Sequence, residues 1–497
     1  MTDNLEGVLE KFWKIDSMED HHPWSKEEQD CEAHFVHTHE RAEDGRYVMR
    51  LTRKLEQKLG KNEVMKEQYH SFMREYLARK VSVEDTSTGK FGTAERKAYY
   101  LPHHAVLKNA STTTKLRVVF DGSACTDSGY SLNDALMKGP IIQDELLTLL
   151  LRFRKHQVAL VGDIEKMYRQ VFGGRSHRNI RATHCNIWID TVIVSGNTSN
   201  QTISNHPEVC APLERDMYVD DYIGGAASVE SACYLRISMD ILTSKGGFPV
   251  RKWCSNRAEV LVGIPMDQLG TSLTISFDLD PEEKIKALGI TWEPESDQLR
   301  FVYNIDGSES AWTRRRILSA IARLFDPLGL ISPVVITAKM IMQELALLQT
   351  NWDIPVPPHI ETKWINFHSQ LNKLSELRIS RFAFIAEWVD IQFHCFSDAS
   401  ELAYGACDYV RTMDQTGNVR IELISSKSRV APLKRLSLRL ELSAVQEAAR
   451  LHEKIIKALT LDNVCSYFWS DSTVVLHWLK APPNTWKTFV ANRVSVI

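Results

Sequence analysis

MYVDDYIGG, residues 217–225, sets two adjacent carboxylates, Asp220 and Asp221, between an apolar approach and an apolar exit into paired glycines. The pattern predicts a β-hairpin with the acids at its tip. Neighbouring carboxylates at a tight turn are costly unless a cation neutralises them. A pair of divalent ions that moves phosphoryl groups would do so. A solvated Asp-Asp turn reads the same way, so the surrounding text has to decide.

Upstream, VALVGDIEKMYRQV (158–171) predicts an apolar strand, Val158 to Val161, that delivers Asp163, with Tyr168 five residues later. Further upstream, KLRVVFDGSA (115–124) puts Lys115 and Arg117 at the head of a second apolar strand. A basic finger, an acid with an aromatic at the fifth position beyond it, then YVDD: this order resembles the reverse transcriptases. The blocks LRVVFDGSA, SLNDALMKGP, DIEKMYRQV, KGGFPVRKW, LGITWEP, RLFDPLGLISP and FVANRV resemble, in the family's order, the polyprotein of Pao/BEL long-terminal-repeat retrotransposons. The resemblance covers nearly the whole chain.

The resemblance implies a multidomain α+β protein. A right-hand polymerase of fingers, palm and thumb would be followed by a truncated ribonuclease H-like α/β domain. The divisions expected are a helical lead-in over 1–90, fingers and palm over 91–270, a thumb or connection region over 271–385, and the ribonuclease H-like unit over 386–497. In the polymerase, Asp163, Asp220 and Asp221 would hold Mg²⁺ (or Mn²⁺) for in-line attack of a primer hydroxyl on an α-phosphate. Lys115 and Arg117 would reach the triphosphate, Arg117 with the better fork for phosphate oxygens. Tyr168 matches the ring that selects deoxynucleotides by colliding with a 2′-hydroxyl, and Lys252 could protonate the leaving pyrophosphate. Tyr168 also reads as a core aromatic on a short helix. An RNA template, a DNA primer and RNA–DNA hybrid are the implied partners.

One stretch departs from the family. Between Asp163 and Asp220 the family carries a longer segment, with a helix of the Gly-Thr-x-x-Ala-Pro type that supports the templating base. Here HPEVCAPLERD (206–216) again resembles the family, but residues 173–203 do not, and NTSNQT is polar where a packed helix should show an apolar stripe. A frameshifted or mis-spliced segment would look like this. Loosening the site by an ångström costs catalysis heavily, so the expectation is a polymerase site present by descent and impaired.

The last unit carries acids of its own. FHCFSDAS (393–400) ends an apolar strand on Asp398. LRLELSAVQEAARLHEKI (438–455) predicts an amphipathic helix carrying Glu441, with Leu442, Val445, Ala449 and Ile456 on one face. SYFWSDSTVVLHWL (466–479) places Asp471 at the end of another strand, before a helix. Each acid alone reads as a cap or a surface charge. Strand acid, helix acid, strand acid together resembles ribonuclease H, in which such carboxylates gather around two Mg²⁺ ions to cut RNA in a hybrid. The family's fourth acid lies further downstream than Ile497, so the unit is expected to be truncated.

Composition sets wider bounds. At 497 residues the chain should form three or four domains. A formal net charge of −3 does not advertise nucleic-acid binding, so such binding has to rest on a local patch. Residues 411–439 offer one: Arg411, Arg420, Lys427, Arg429, Lys434, Arg435 and Arg439 against Asp414 and Glu422. A solvated face is the alternative reading. The nine cysteines form no CxxC pair, which favours free thiols in a reducing compartment. Cys31, His34, His37 and His39 fit no standard zinc spacing. The first twenty residues are charged throughout, unlike a signal peptide. The longest apolar stretch, Leu328 to Met342, is interrupted by Pro333 and Lys339 and is too short to span a bilayer. A cytoplasmic or nuclear protein is expected. Asp127-Ser128-Gly129 matches the aspartic-protease tripeptide, but the apolar strands such a site needs are missing and no second block is visible. Three classes stay open: a polymerase–nuclease, a catalytically dead remnant that binds nucleic acid, and a processing aspartic peptidase.

Overall fold

The computed structural model describes residues 103–107, 116–120, 122–123, 131, 143–165, 167, 207–270, 273–276, 289–301, 311–348, 351–432 and 437–497. The lead-in 1–90, the segment 173–203, the cysteine–histidine run 31–39, the tripeptide 127–129, Lys115 and Tyr168 lie outside the described residues.

Strands β1 (His103–Leu107) and β2 (Leu116–Phe120) form an antiparallel pair in which Arg117 is opposite Val106. Helix α1 (Leu146–Lys155) leads into β3 (Val158–Ile164). After α2 (Pro207–Arg215) come β4 (Met217–Tyr218), β5 (Asp221–Ala226), α3 (Val229–Lys245) and β6 (Val250–Ser255). The four strands form one antiparallel sheet in the order β4-β5-β3-β6. Strand β3 is buried on both faces, which explains its unbroken apolar text. Val158, Leu160 and Ile164 pack into one core, and Ala159 and Val161 into the other. Against the first core α3 lays Ala232, Leu235, Met239 and Leu242, at helical spacing. Its N-terminus is capped by the Ser228 hydroxyl, which accepts from the Ser231 N–H.

A second sheet joins β7 (Leu273–Ser276), β8 (Gly289–Glu293), β9 (Gln298–Phe301) and β10 (Ile379–Ser380), in the order β10-β9-β8-β7. Helices α4 (Arg314–Ala322), α5 (Ser332–Leu347) and α6 (Pro358–His368) lie between its last two strands in sequence. A Pro/Gly break, Asp326 to Gly329, separates α4 from α5. There the Asp326 carboxylate accepts the N–H groups of Leu330 at 2.9 Å and Ile331 at 2.7 Å. The Pro-rich segment 354–358 is not the free linker its composition suggests. Val356 is buried, its N–H donates to the Trp312 carbonyl at 3.0 Å, and Pro355 bridges Thr313. An isolated bridge, absent from any local reading, holds the prolines in place.

Strands β11 (Trp388–Ala399), β12 (Ala403–Asp414) and β13 (Val419–Val430) form a long antiparallel meander. Helix α7 (Ser437–Leu459) crosses back, and β14 (Cys465–Trp469) joins parallel to β11, giving the order β13-β12-β11-β14. Helices α8 (Thr473–Lys480) and α9 (Thr488–Val494) follow. The buried stripe of α7 is Leu442, Val445, Ala448, Leu451 and Ile455. Ala449 and Ile456, expected in that stripe, sit one position off at its half-buried edge, because a 3.6-residue repeat drifts across a long helix.

The core does not break at residue 385. One continuous cluster runs from Leu150 and Phe153 of α1, through Trp292 and Ile317, to Phe393 and Leu451. Arg154, fully buried, fastens these layers: it donates to the carbonyls of Leu423 at 2.7 Å and Ile424 at 2.9 Å in β13 and of Arg381 at 3.3 Å. Arg381 in turn grips Asp297 at 2.8 Å and the carbonyl of His156 at 2.7 Å.

Candidate active sites

Parallel pairing brings the first set of acids together. Phe396 of β11 is opposite Trp469 of β14, so Asp398 and Asp471, each two residues on, emerge level at the same end of the sheet. The Ser397 hydroxyl donates to the Trp469 carbonyl at 3.3 Å and holds that end closed. Glu441 reaches over from the second turn of α7. The ligand oxygens of Asp398, Glu441 and Asp471 all lie within 4.8 Å of one another. Burial first, then the charges of Asp471 and Asp398, push the Glu441 carboxyl above its usual range. Its Oε2 is buried with no hydrogen-bond partner. A set of hard oxygen donors, one of them buried and unpartnered, fits a divalent cation of the magnesium or manganese type.

The second set lies on the β3–β5 sheet. Asp163 is the direct cross-strand partner of Asp221, and Asp220 occupies the turn of the expected hairpin. The Ile164 N–H donates to the Asp220 carbonyl at 2.8 Å. Val219 has φ of +57°, a conformation a β-branched residue rarely takes. Its N–H donates to Oε1 of Gln143 at 3.1 Å, a contact from outside the hairpin that supports the strained turn. Asp216, just before the hairpin, is fully buried between Arg152 at 2.7 Å and Arg215 at 2.7 Å. Burial, then the Asp220 charge, lifts the Asp221 carboxyl to about 7. Lys252, itself at φ +53°, forms an ion pair with Asp163. Among the described residues these three acids are not drawn into a group as tight as the first set; the Asp163 carboxylate is turned to the ammonium.

A third cluster, which the sequence reading missed, gathers as closely as the first: Cys395, Asp408 and His452, between the meander and α7. The signal available was faint. In FHCFSD, period two puts Cys395 on the same inward face as Phe393, and Asp408 is the one buried acid of β12.

The basic patch is less free than its composition suggests. Arg411 pairs with Asp390 at 2.9 Å, Arg420 with Glu422 at 3.0 Å and Arg429 with Glu447 at 2.9 Å, while Arg439 lies over the Phe489 ring. Lys434 and Arg435 lie outside the described residues. No described helix is long and apolar enough to cross a membrane.

Residues 313–472 match the family described as the Pao retrotransposon-like RNaseH-like domain. That span takes in the meander, α7, β14 and the three acids at their common end. The resemblance to a Pao/BEL-type retroelement polyprotein is thereby supported. No curated protein matches the chain. Among solved structures, a foamy viral protease–reverse transcriptase in complex with dsDNA is similar at 15% identity and TM-score 0.46, over 90% of this chain and 96% of that one. A dRH form in complex with ds DNA shows 13% identity and TM-score 0.45, over 80% of this chain and 62% of that one. A complex with RNA/DNA hybrid shows 14% identity and TM-score 0.43, over 80% of this chain and 48% of that one. The chain thus spans 62% and 48% of the length of these last two.

Proposed function

We propose that this chain is a polymerase–nuclease segment of a Pao/BEL-type retroelement polyprotein, and that its last unit hydrolyses the RNA strand of an RNA–DNA hybrid. The observation that carries the nuclease reading is the gathering of Asp398, Glu441 and Asp471 within 4.8 Å from two parallel strands and one helix. These three carboxylates would hold Mg²⁺ or Mn²⁺. When bound, the ions supply an activated water and neutralise charge on the phosphate. Asp398 and Asp471 are exposed at the sheet end, where a strand backbone can approach. Glu441 is held from behind by the helix and is the acid whose charge most needs a cation. Hybrid recognition through backbone and 2′-hydroxyl contacts would leave little sequence preference. Purified protein should cleave the RNA of a hybrid in Mg²⁺ or Mn²⁺, and Asp398→Asn should abolish it. Cleavage that survives this change overturns the assignment.

The polymerase reading is favoured by a separate observation, Asp163 opposite Asp221 with Asp220 at the adjoining turn. In it these three acids hold the metal ions, Lys115 and Arg117 meet the triphosphate, Tyr168 closes the sugar pocket, and Lys252 serves the leaving pyrophosphate. The thumb or connection would be 271–385. Its template would be RNA, its primer DNA and its substrates deoxynucleotides. The departure at 173–203 supports an impaired polymerase, which leaves a nucleic-acid-binding remnant as the alternative. Primer extension on an RNA template should be weak or absent. Robust incorporation lost in Asp220→Asn would refute the impairment.

A further inference from the structure

We propose that Cys395, Asp408 and His452 form a zinc-binding site in the core of the last unit, separate from the three acids at its surface. Cys395 and Asp408 are direct partners across β11 and β12, both on the face turned toward α7. His452 comes down from α7, and its Nδ1 lies 2.7 Å from Oδ2 of Asp408. The donor atoms of all three lie within 4.8 Å of one another. Cys395 and Asp408 are each 1% exposed and His452 is 9% exposed, so the cluster is sealed from solvent. The rings of Phe393 and Phe468 meet the imidazole edge-on at 5.5 Å and 5.1 Å and fix its plane.

A second observation points to a ligand. Oδ1 of Asp408 is buried and has no hydrogen-bond partner. A buried carboxylate oxygen left in that condition carries an uncompensated desolvation penalty. The thiol beside it is a weak donor.

Charge and donor type select the ion. A thiolate, a carboxylate and a neutral imidazole carry two negative charges, which a divalent cation cancels; a neutral group can stay in the core. Sulfur and nitrogen donors favour zinc over magnesium or calcium. Tetrahedral zinc needs its donors about 3.3 Å apart, so capture parts the His452–Asp408 pair by a few tenths of an ångström. Binding releases about one proton, from the Cys395 thiol, as the sulfur–metal bond forms, while the proton shared by His452 Nδ1 and Asp408 moves to Nε2 and frees Nδ1 for the metal. The three ligands then tie β11, β12 and α7 together through one ion.

The test is zinc content of the full chain, purified without chelator and with zinc in the medium. About one zinc per chain is expected, unchanged in Asp398→Asn, which keeps this site distinct from the surface acids. Cobalt substitution should give thiolate-to-cobalt charge-transfer absorption, lost in Cys395→Ser, with zinc affinity down by more than about 100-fold. Should Cys395→Ser fail to fold, chelator-stripped wild-type protein decides: its melting temperature should rise with added zinc chloride and not with magnesium chloride. Folded wild-type protein that takes up no zinc, or a Cys395→Ser chain that keeps its zinc, overturns the proposal.

Discussion

Asp398 and Asp471 are brought level by the parallel pairing of β11 with β14, in which Phe396 is opposite Trp469. The 72 residues between them in sequence include two hairpin turns and the whole of α7. Neither acid has a reason to be near the other except this register. Glu441 completes the set from the helix that the crossover requires.

Glu441→Gln tests the electrostatics of that set. The carboxyl is held above its usual range by burial and by its two neighbours. Removing its charge should lower hybrid cleavage by about 100-fold or more, the scale of losing one transition-state contact. In metal-free buffer at neutral pH the same change should leave stability unchanged or raise it. Cleavage assays and urea unfolding in EDTA read the two effects separately. A variant that loses stability and activity together in EDTA would show a packing role instead.

Asp221→Asn tests the other set through pH. The folded-state value is about 7, raised from 3.8. The folded chain therefore holds the proton over a window in which the unfolded chain has lost it. Stability from this group falls as pH rises from about 4 to 7 and stays low above 7. The asparagine variant should be more stable than wild type at pH 8, by on the order of 2–4 kcal/mol. The gain should vanish near pH 4. Denaturant midpoints at pH 4 and pH 8 check the sign.

Arg154→Met should destabilise the chain by about 3–5 kcal/mol, the cost of breaking a buried charged network. It would strip donors from the buried carbonyls of Leu423, Ile424 and Arg381. Burial already lowers the Arg154 guanidinium to about 10. Because Arg154 joins α1 to β13, unfolding followed by near-ultraviolet signals and by proteolysis should split into two transitions. A single unshifted transition would mean the layers are held without it.

Gly329→Ala should cost about 1–3 kcal/mol, the scale of backbone strain at such a position. Gly329 has φ of +73°, and a Cβ there would run into the backbone of Ser426 in β13. Thermal melting reads the loss. A melting temperature equal to wild type would show that the corner can move away from the meander.

Several of these features were legible in the text. The hairpin at 217–225 was, because turn chemistry and period-two alternation act over a few residues. Strands ending on Asp398 and Asp471 were, for the same reason. The apolar run of β3 predicted a strand, yet only the two cores on either side explain why it has no polar face. Nothing in the text singled out Arg154. Its burial depends on backbone carbonyls supplied more than two hundred residues away. The prolines at 355, 357 and 358 read as a linker, because the strand bridge to Thr313 has no local signature. Cys395, Asp408 and His452 are far apart in sequence, on two strands and a helix, and no spacing rule connects them.

The amino-acid order by itself determined which segments turn, which extend and which coil, and it placed the aspartates of both candidate sites at or beside strand ends and Glu441 on a helix. Those are consequences of side-chain periodicity and backbone preference within a few residues. Which acids meet was decided only by strand register and by the packing of α7 on the meander. Register depends on the burial of whole faces, and burial is a property of chain segments brought together from a distance.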